Sequence, residues 1–147
     1  MIGIGSDLLD IRRIEKTISR FGDRFKNKIF TKNEINKCEK RLNKFECYAK
    51  RFAAKEAASK ALGTGFRKGV FWKDLEVVNL PSGKPTIKFH GNSLIHLNSL
   101  LPSESNLSID LTITDEYPYA QALVIISSDK SKYCLLYTSP SPRDNSG

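Results

Sequence analysis

Glu56 and Lys60 stand four residues apart in an alanine-rich stretch, so on a helix they share one face, with Phe52 a turn earlier on nearly the same line. The plain structural meaning of such a pair is an exposed ion pair beside a core aromatic. Lys55 and Ser59 form a second polar pair on the adjoining line, and Arg51 precedes Lys55 by four. This strip of cations with one carboxylate suits an anion site that also holds a metal. Asp7 offers a second carboxylate. It follows a strand through Gly3-Ile4-Gly5 at the kind of loop where a rigid scaffold presents functional groups, and its structural alternative is a helix N-cap. Two carboxylates from different segments can hold Mg2+, a hard cation that keeps several waters and takes its other ligands from phosphate oxygens. Lysine and arginine would then neutralise charge developing on a diphosphate as a P–O bond breaks. The chemistry suggested is phosphoryl-type transfer.

Other candidates carry less. There is no phosphate loop of the G-x-x-x-x-G-K-S/T type. Gly63-Thr64-Gly65-Phe66-Arg67-Lys68-Gly69 reads first as a helix stop and connection, with closure over a phosphate through Arg67 and Lys68 as the alternative. His90 and His96 have no ligand spacing between them, and no Cys–His nucleophile pair is supported.

These residues need elements to position them. Residues 1–4 read as a short strand. Leu8, Ile11, Ile14, Ile18 and Phe21 then recur at helical spacing, with Arg12, Arg13, Lys16 and Arg20 on other faces, which predicts an amphipathic basic helix ending near Gly22. Thr31-Lys32-Asn33-Glu34 has the capping-box pattern of a helix start, with Ile35, Cys38 and Leu42 expected on its buried side. Residues 45–62 hold six alanines and no Gly or Pro, a strong helix former stopped by Gly63. Residues 75–80 and 85–90 form an expected hairpin around Pro81-Ser82-Gly83-Lys84, followed by a short helix at 94–101. Strands are expected at 107–114 and 119–127, with residues 115–118 turning between them. The fold class is α+β, N-terminal helices packed on a mostly antiparallel sheet in a single domain.

Composition sets the outer limits. A chain of 147 residues with 39% hydrophobic content supports one ordinary core. No apolar run approaches the roughly 20 residues of a spanning helix, and the N-terminus lacks a signal-peptide pattern, so a soluble protein is expected. Cys38, Cys47 and Cys134 have no metal spacing, and their odd number argues against a disulfide framework, which favours a reducing cytoplasm. A net charge of +8 draws polyanions of any kind. Residues 129–147 have turn and disorder composition, and are excluded from the domain at 1–128 as a disordered or appended tail.

Two blocks then carry a family likeness. Ile2-Gly3-Ile4-Gly5-Ser6-Asp7-Leu8 and the stretch Arg51-Phe52-Ala53-Ala54-Lys55-Glu56-Ala57-Ala58-Ser59-Lys60-Ala61 resemble the bacterial phosphopantetheinyl transferases of the holo-[acyl-carrier-protein] synthase type, the second block specifically so. Thr31-Lys32-Asn33-Glu34, Gly83-Lys84-Pro85 and Tyr119-Ala120-Gln121-Ala122 also fit, so the resemblance covers about residues 1–127. It implies Mg2+ held by Asp7 and Glu56, and Lys60 at the coenzyme A diphosphate, assisting proton removal. Arg51 and Lys55 would lie near the coenzyme's phosphates, Gly83, Lys84 and Pro85 near its adenine, and Gly63 in the loop beside it. Arg13 and Arg20, on the basic helix, would dock an acidic acyl carrier protein. Homotrimers with sites between subunits are implied too, with neither nucleic acid nor membrane as partner. Asp115 stands where some members carry His, which leaves as proton acceptor a metal-bound water or hydroxide, or Glu56 itself. The rival reading is a small basic nucleic-acid-binding module, which explains the charge and Phe71, Trp72 and Phe89 on a sheet but gives no reason for Asp7 and Glu56.

Overall fold

In chain order the computed structural model, which describes residues 1–102 and 105–129, runs β1 (Gly3–Asp10), α1 (Ile11–Phe21), α2 (Asp23–Ile29), α3 (Lys32–Glu39) and α4 (Lys44–Leu62). A 3-10 turn at Trp72–Asp74 then leads to β2 (Leu75–Asn79), β3 (Pro85–Phe89), α5 (Gly91–Leu100), β4 (Asn106–Glu116) and β5 (Tyr119–Asp129). The α+β class is as expected. One antiparallel sheet has the order β1-β5-β4, and β2 pairs with β3 in a separate hairpin. The first strand therefore closes onto the last, with β5 in the centre.

The alanines explain how α4 sits. Ala53, Ala54, Ala57, Ala58 and Ala61 are all buried, and their small size lets the helix backbone approach β1 closely. The strand makes the matching concession. A Cβ on Gly5 would lie 2.6 Å from the Ala61 nitrogen and inside the Ala57 carbonyl oxygen, and one on Gly3 would overlap the Ala61 carbonyl. Glycines in β1 and alanines in α4 are two halves of one contact. It carries Asp7 over the helix turn that holds Glu56 and Lys60.

The capping box at Thr31 forms as the pattern predicts, and Glu34 then does more. Its Oε1 accepts from the Thr31 N–H at 2.9 Å and lies 2.7 Å from Lys55 Nζ, while Oε2 accepts from the Val77 N–H at 2.7 Å. Lys55 Nζ also donates to the Leu75 and Trp72 carbonyls at 2.6 and 3.1 Å. Both side chains have no exposed surface. A buried pair this well hydrogen-bonded ties α3, α4 and β2 together.

Several boundaries differ from the sequence expectation. β1 runs to Asp10, so Leu8 is an exposed strand residue and Asp7 lies within a strand, opposite Ala122. Asp10 is the N-cap of α1, accepting from the Arg12 N–H at 2.9 Å. The helix α2 was not anticipated. Its seven residues bury only Ile29, too weak a periodic signal to separate from a loop. Leu42 is fully exposed because α3 stops at Glu39. Strands β4 and β5 extend so that only Tyr117-Pro118 turn between them, and Asp129 belongs to β5 rather than to the tail. Residues 130–147, Cys134 among them, lie outside the described residues.

The expectation of unpaired cysteines is also corrected. Cys38 at the end of α3 and Cys47 in α4 are joined by a disulfide, with Cα atoms 5.4 Å apart. Counting three cysteines says nothing of which two a helix–helix contact brings together. Among the described residues no helix is long and apolar enough to cross a membrane.

Candidate active site

Asp7, Glu56 and Lys60 meet where β1 crosses the C-terminal half of α4. Lys60 Nζ lies 3.2 Å from Asp7 Oδ1 and donates to the Ser6 carbonyl at 3.0 Å. The lysine thus pairs with the aspartate on the strand rather than with the glutamate one turn below it on the helix. The Asp7 side chain is mostly covered and that of Lys60 half exposed. Partial burial pushes the Glu56 carboxyl above its ordinary range, and the Asp7 charge pushes it further, against the pull of Lys60 and Arg13. Two carboxylates held against mutual repulsion, with one lysine paired to the first, form a cation-binding arrangement. Among the described residues no cluster of three His, Cys, Asp or Glu side chains is present, so the protein would offer a metal two hard oxygen groups and leave the rest to phosphate and water.

A second feature lies about 13 Å along α4, nine residues of helical rise from Lys60. Arg41, Lys50, Arg51, Asn79 and Pro85 line a cavity of about 410 Å3. Arg51 is buried, donates to Cys47 Sγ at 3.0 Å, and has no partner for its Nε. Burial pulls its guanidinium below the usual arginine value, partly offset by Glu34. Glu46 also lines the cavity and shares Lys50 with Asp115, so the place for an anion is at the unused Arg51 donor and Arg41. Arg41 and Lys50 were missed in the sequence. The available signal was the basic run Lys40-Arg41-Leu42-Asn43-Lys44, which looks like an ordinary loop until Pro85 is folded against it.

The remaining candidates scatter. Lys55, expected near phosphates, is instead enclosed with Glu34, because the polar strip Arg51–Lys55–Ser59 is the buried side of α4 and not its open side. Gly63 caps α4 with φ of 89° and bonds back to Ser59 and Lys60. Of the turn residues, Gly83 is exposed, Lys84 Nζ lies 3.9 Å from Asp110 over the sheet, and Pro85 alone faces the cavity with Arg51. Arg13 and Arg20 sit on the exposed face of α1. Asp115 is 3.7 Å from Lys50, at the other end of α4 from Glu56 within this chain. His90 is bonded to Glu76 at 2.9 Å.

Of the three rings of the rival aromatic platform, Phe71 alone is exposed and the other two go into packing. Trp72 is stacked between Phe52 and Phe66, with ring centroids 4.6 and 3.8 Å away, and Phe89 is buried. Stacked faces of this kind are not free for bases.

Comparison with known proteins follows the same lines. The family model described as the 4'-phosphopantetheinyl transferase superfamily matches residues 3–121. The chain is 60% identical over 128 residues to a holo-[acyl-carrier-protein] synthase of Rhizobium leguminosarum bv. trifolii, covering 87% of this chain and 96% of that one. It resembles the crystal structure of the holo-[acyl-carrier-protein] synthase from Neisseria meningitidis with a TM-score of 0.74 at 32% identity, over 86% of this chain and 98% of that one. The Helicobacter pylori holo-[acyl-carrier-protein] synthase in complex with coenzyme A matches with a TM-score of 0.69 at 30% identity, over 84% and 99% of the two chains.

Proposed function

The chain belongs to the 4'-phosphopantetheinyl transferase superfamily, and from that premise we propose that it transfers 4'-phosphopantetheine from coenzyme A to a serine of apo acyl carrier protein, releasing adenosine 3',5'-bisphosphate. The serine hydroxyl attacks the phosphorus that bears pantetheine, and the bisphosphate leaves. The observation that carries the reading is the convergence of Asp7, Glu56 and Lys60 at the β1–α4 contact.

Mg2+ fits that donor set: two neighbouring carboxylates, one with its proton affinity raised by burial and then by the charge of the other, gain from a cation between them. When bound, the ion would neutralise charge on the diphosphate and orient it. Lys60, half exposed and already turned toward Asp7, reaches the same diphosphate oxygens and stabilises the charge that gathers on them. Glu56, at the edge of the same donor set, is the group in this chain placed to take the serine proton, directly or through a water. Arg51, with Arg41, receives phosphate at the nucleotide end of the donor, and Pro85 supports the adenine. Lys55 holds α4 in place and does not touch the coenzyme.

The carrier docks on α1. Arg13, Lys16 and Arg20 are exposed, whereas Arg12 is turned back in a two-point pair with Asp10 whose closer contact is 2.7 Å. An acidic partner would meet Arg13 first near Glu56, whose charge Arg13 already feels. The working assembly is a homotrimer with sites between subunits. In support, the sheet face away from α4 carries Ile4 and Leu8 from β1 beside Leu123 and Ile125 from β5, with Ile4 and Leu8 more than half exposed. Such a stripe is suited to a second copy. The catalytic domain runs to the end of β5 at Asp129, and the enzyme works in the cytoplasm.

The test is mass spectrometry of an apo acyl carrier protein incubated with this protein, coenzyme A and Mg2+. The carrier gains the phosphopantetheine mass. Its absence on every carrier tried would overturn the assignment, as would full activity of Glu56→Ala.

A further inference from the structure

We propose that Cys38 and Cys47 form a reversible redox couple that tunes how tightly the basic cavity holds the phosphates of its nucleotide. This rests on the reading of that cavity as the nucleotide end of the coenzyme site. Three observations converge. Cys47 lines the cavity, whereas Cys38 is fully buried and is not part of its wall. Arg51 Nη1 donates to Cys47 Sγ at 3.0 Å, while the same guanidinium keeps a buried Nε without a partner. The disulfide, nine residues apart in sequence, closes the α3–α4 connection into a ring that contains Arg41, Leu42 and Asn43, all on the cavity wall.

The closed ring removes conformational freedom from the segment that carries Arg41, and a preorganised cation binds phosphate at lower entropic cost. In the open state that segment is tethered only by its helix ends, and a Cys47 thiolate, a stronger acceptor than the disulfide sulfur that Arg51 already meets at 3.0 Å, competes with phosphate for the guanidinium. The oxidised enzyme is therefore the tighter nucleotide binder. The exchange is balanced with a low-molecular-weight disulfide as oxidant. The Cys47 thiolate attacks it and expels one small thiol, and Cys38 then attacks Cys47 Sγ in the mixed disulfide and expels the second. Two protein thiols become one disulfide, one small disulfide becomes two thiols, and these keep the two protons.

The full chain is equilibrated with glutathione disulfide or with dithiothreitol, its oxidation state is read by intact mass, and adenosine 3',5'-bisphosphate affinity is measured by calorimetry. The oxidised protein binds about fivefold tighter, the lower end of ordinary site-to-site coupling. Cys38→Ser/Cys47→Ser binds with the reduced affinity under both conditions. Failure of the native protein to form the bond with excess glutathione disulfide overturns the couple, and equal affinity in two mass-verified states overturns its coupling to the cavity. Arg51→Ala separates the two readings. If Arg51→Ala weakens binding while oxidation state has no effect, only the redox proposal falls. If Arg51→Ala has no effect, the cavity is not the nucleotide site and both fall.

Discussion

Lys55 and Glu56 are neighbours on one helix and live in opposite electrostatic worlds. The Lys55 ammonium has no exposed surface, faces Glu34 at 2.7 Å and donates to two carbonyls, so every donor is used. Burial depresses its proton affinity, and Glu34 restores part of it. Glu56 is half-buried, its carboxyl is destabilised as an anion by burial and by Asp7, and the lysine one turn away has paired with Asp7 instead. A helix turns about 100° per residue, which is enough to put one of two adjacent ions into the core and the other at its edge. A satisfied buried ion holds a fold, whereas an unsatisfied half-buried one is held ready for a ligand.

Substitutions at the two positions should therefore fail in opposite ways. The largest effect is expected at Glu56→Gln, which drops transfer by about a thousandfold or more in a steady-state assay, as loss of a principal charge-stabilising group does. The same variant should melt higher than the native protein in metal-free buffer. The Glu56 carboxyl binds its proton more tightly in the folded state than in the unfolded chain, so its contribution to stability falls as pH rises through the raised value. The gain in melting temperature should therefore be present at neutral pH and disappear in acid, where Glu56 is protonated. A lower melting temperature for Glu56→Gln at neutral pH would break the contrast.

Next, Lys55→Met is expected to lose about 3–5 kcal/mol in urea unfolding, because it strands the Glu34 carboxylate in the core. Glu34→Leu/Lys55→Met should recover most of that loss while keeping kcat close to native in the folded fraction. Activity loss in a fully folded double variant would mean that Lys55 takes part in the chemistry. A smaller effect, about 1–3 kcal/mol, is expected for Gly5→Ala, which overpacks the β1–α4 contact. Since that contact joins Asp7 to Glu56, the folded variant should also lose kcat, and an unchanged kcat would separate packing from catalysis. The mildest change is Arg13→Glu, which should raise KM for the carrier several-fold with less salt dependence and leave KM for coenzyme A alone.

Much of this was legible in residue order. Small residues at helical spacing announced α4, the Thr31-to-Glu34 pattern announced the start of α3, and the two blocks around Asp7 and Glu56 announced the reaction. Other features depended on distant neighbours. Glu34 is both a capping residue and the counter-ion of Lys55, and only the first role has a local pattern. Cys38 and Cys47 lie on two different helices, and Arg51 becomes an anion receptor only once Pro85 and Asn79 of the β2–β3 hairpin close the cavity.

Residue type and spacing by themselves determined which groups carry charge, which of the longer stretches are helices or strands with the short α2 escaping notice, and which reaction two carboxylates and a lysine suit. Tertiary structure alone decided the direction each charge faces: Lys55 inward, Lys60 outward to Asp7, Arg51 into a cavity. The physical reason is that the free energy of an ion depends on its solvent and its partners, and the chain fixes those only when it folds.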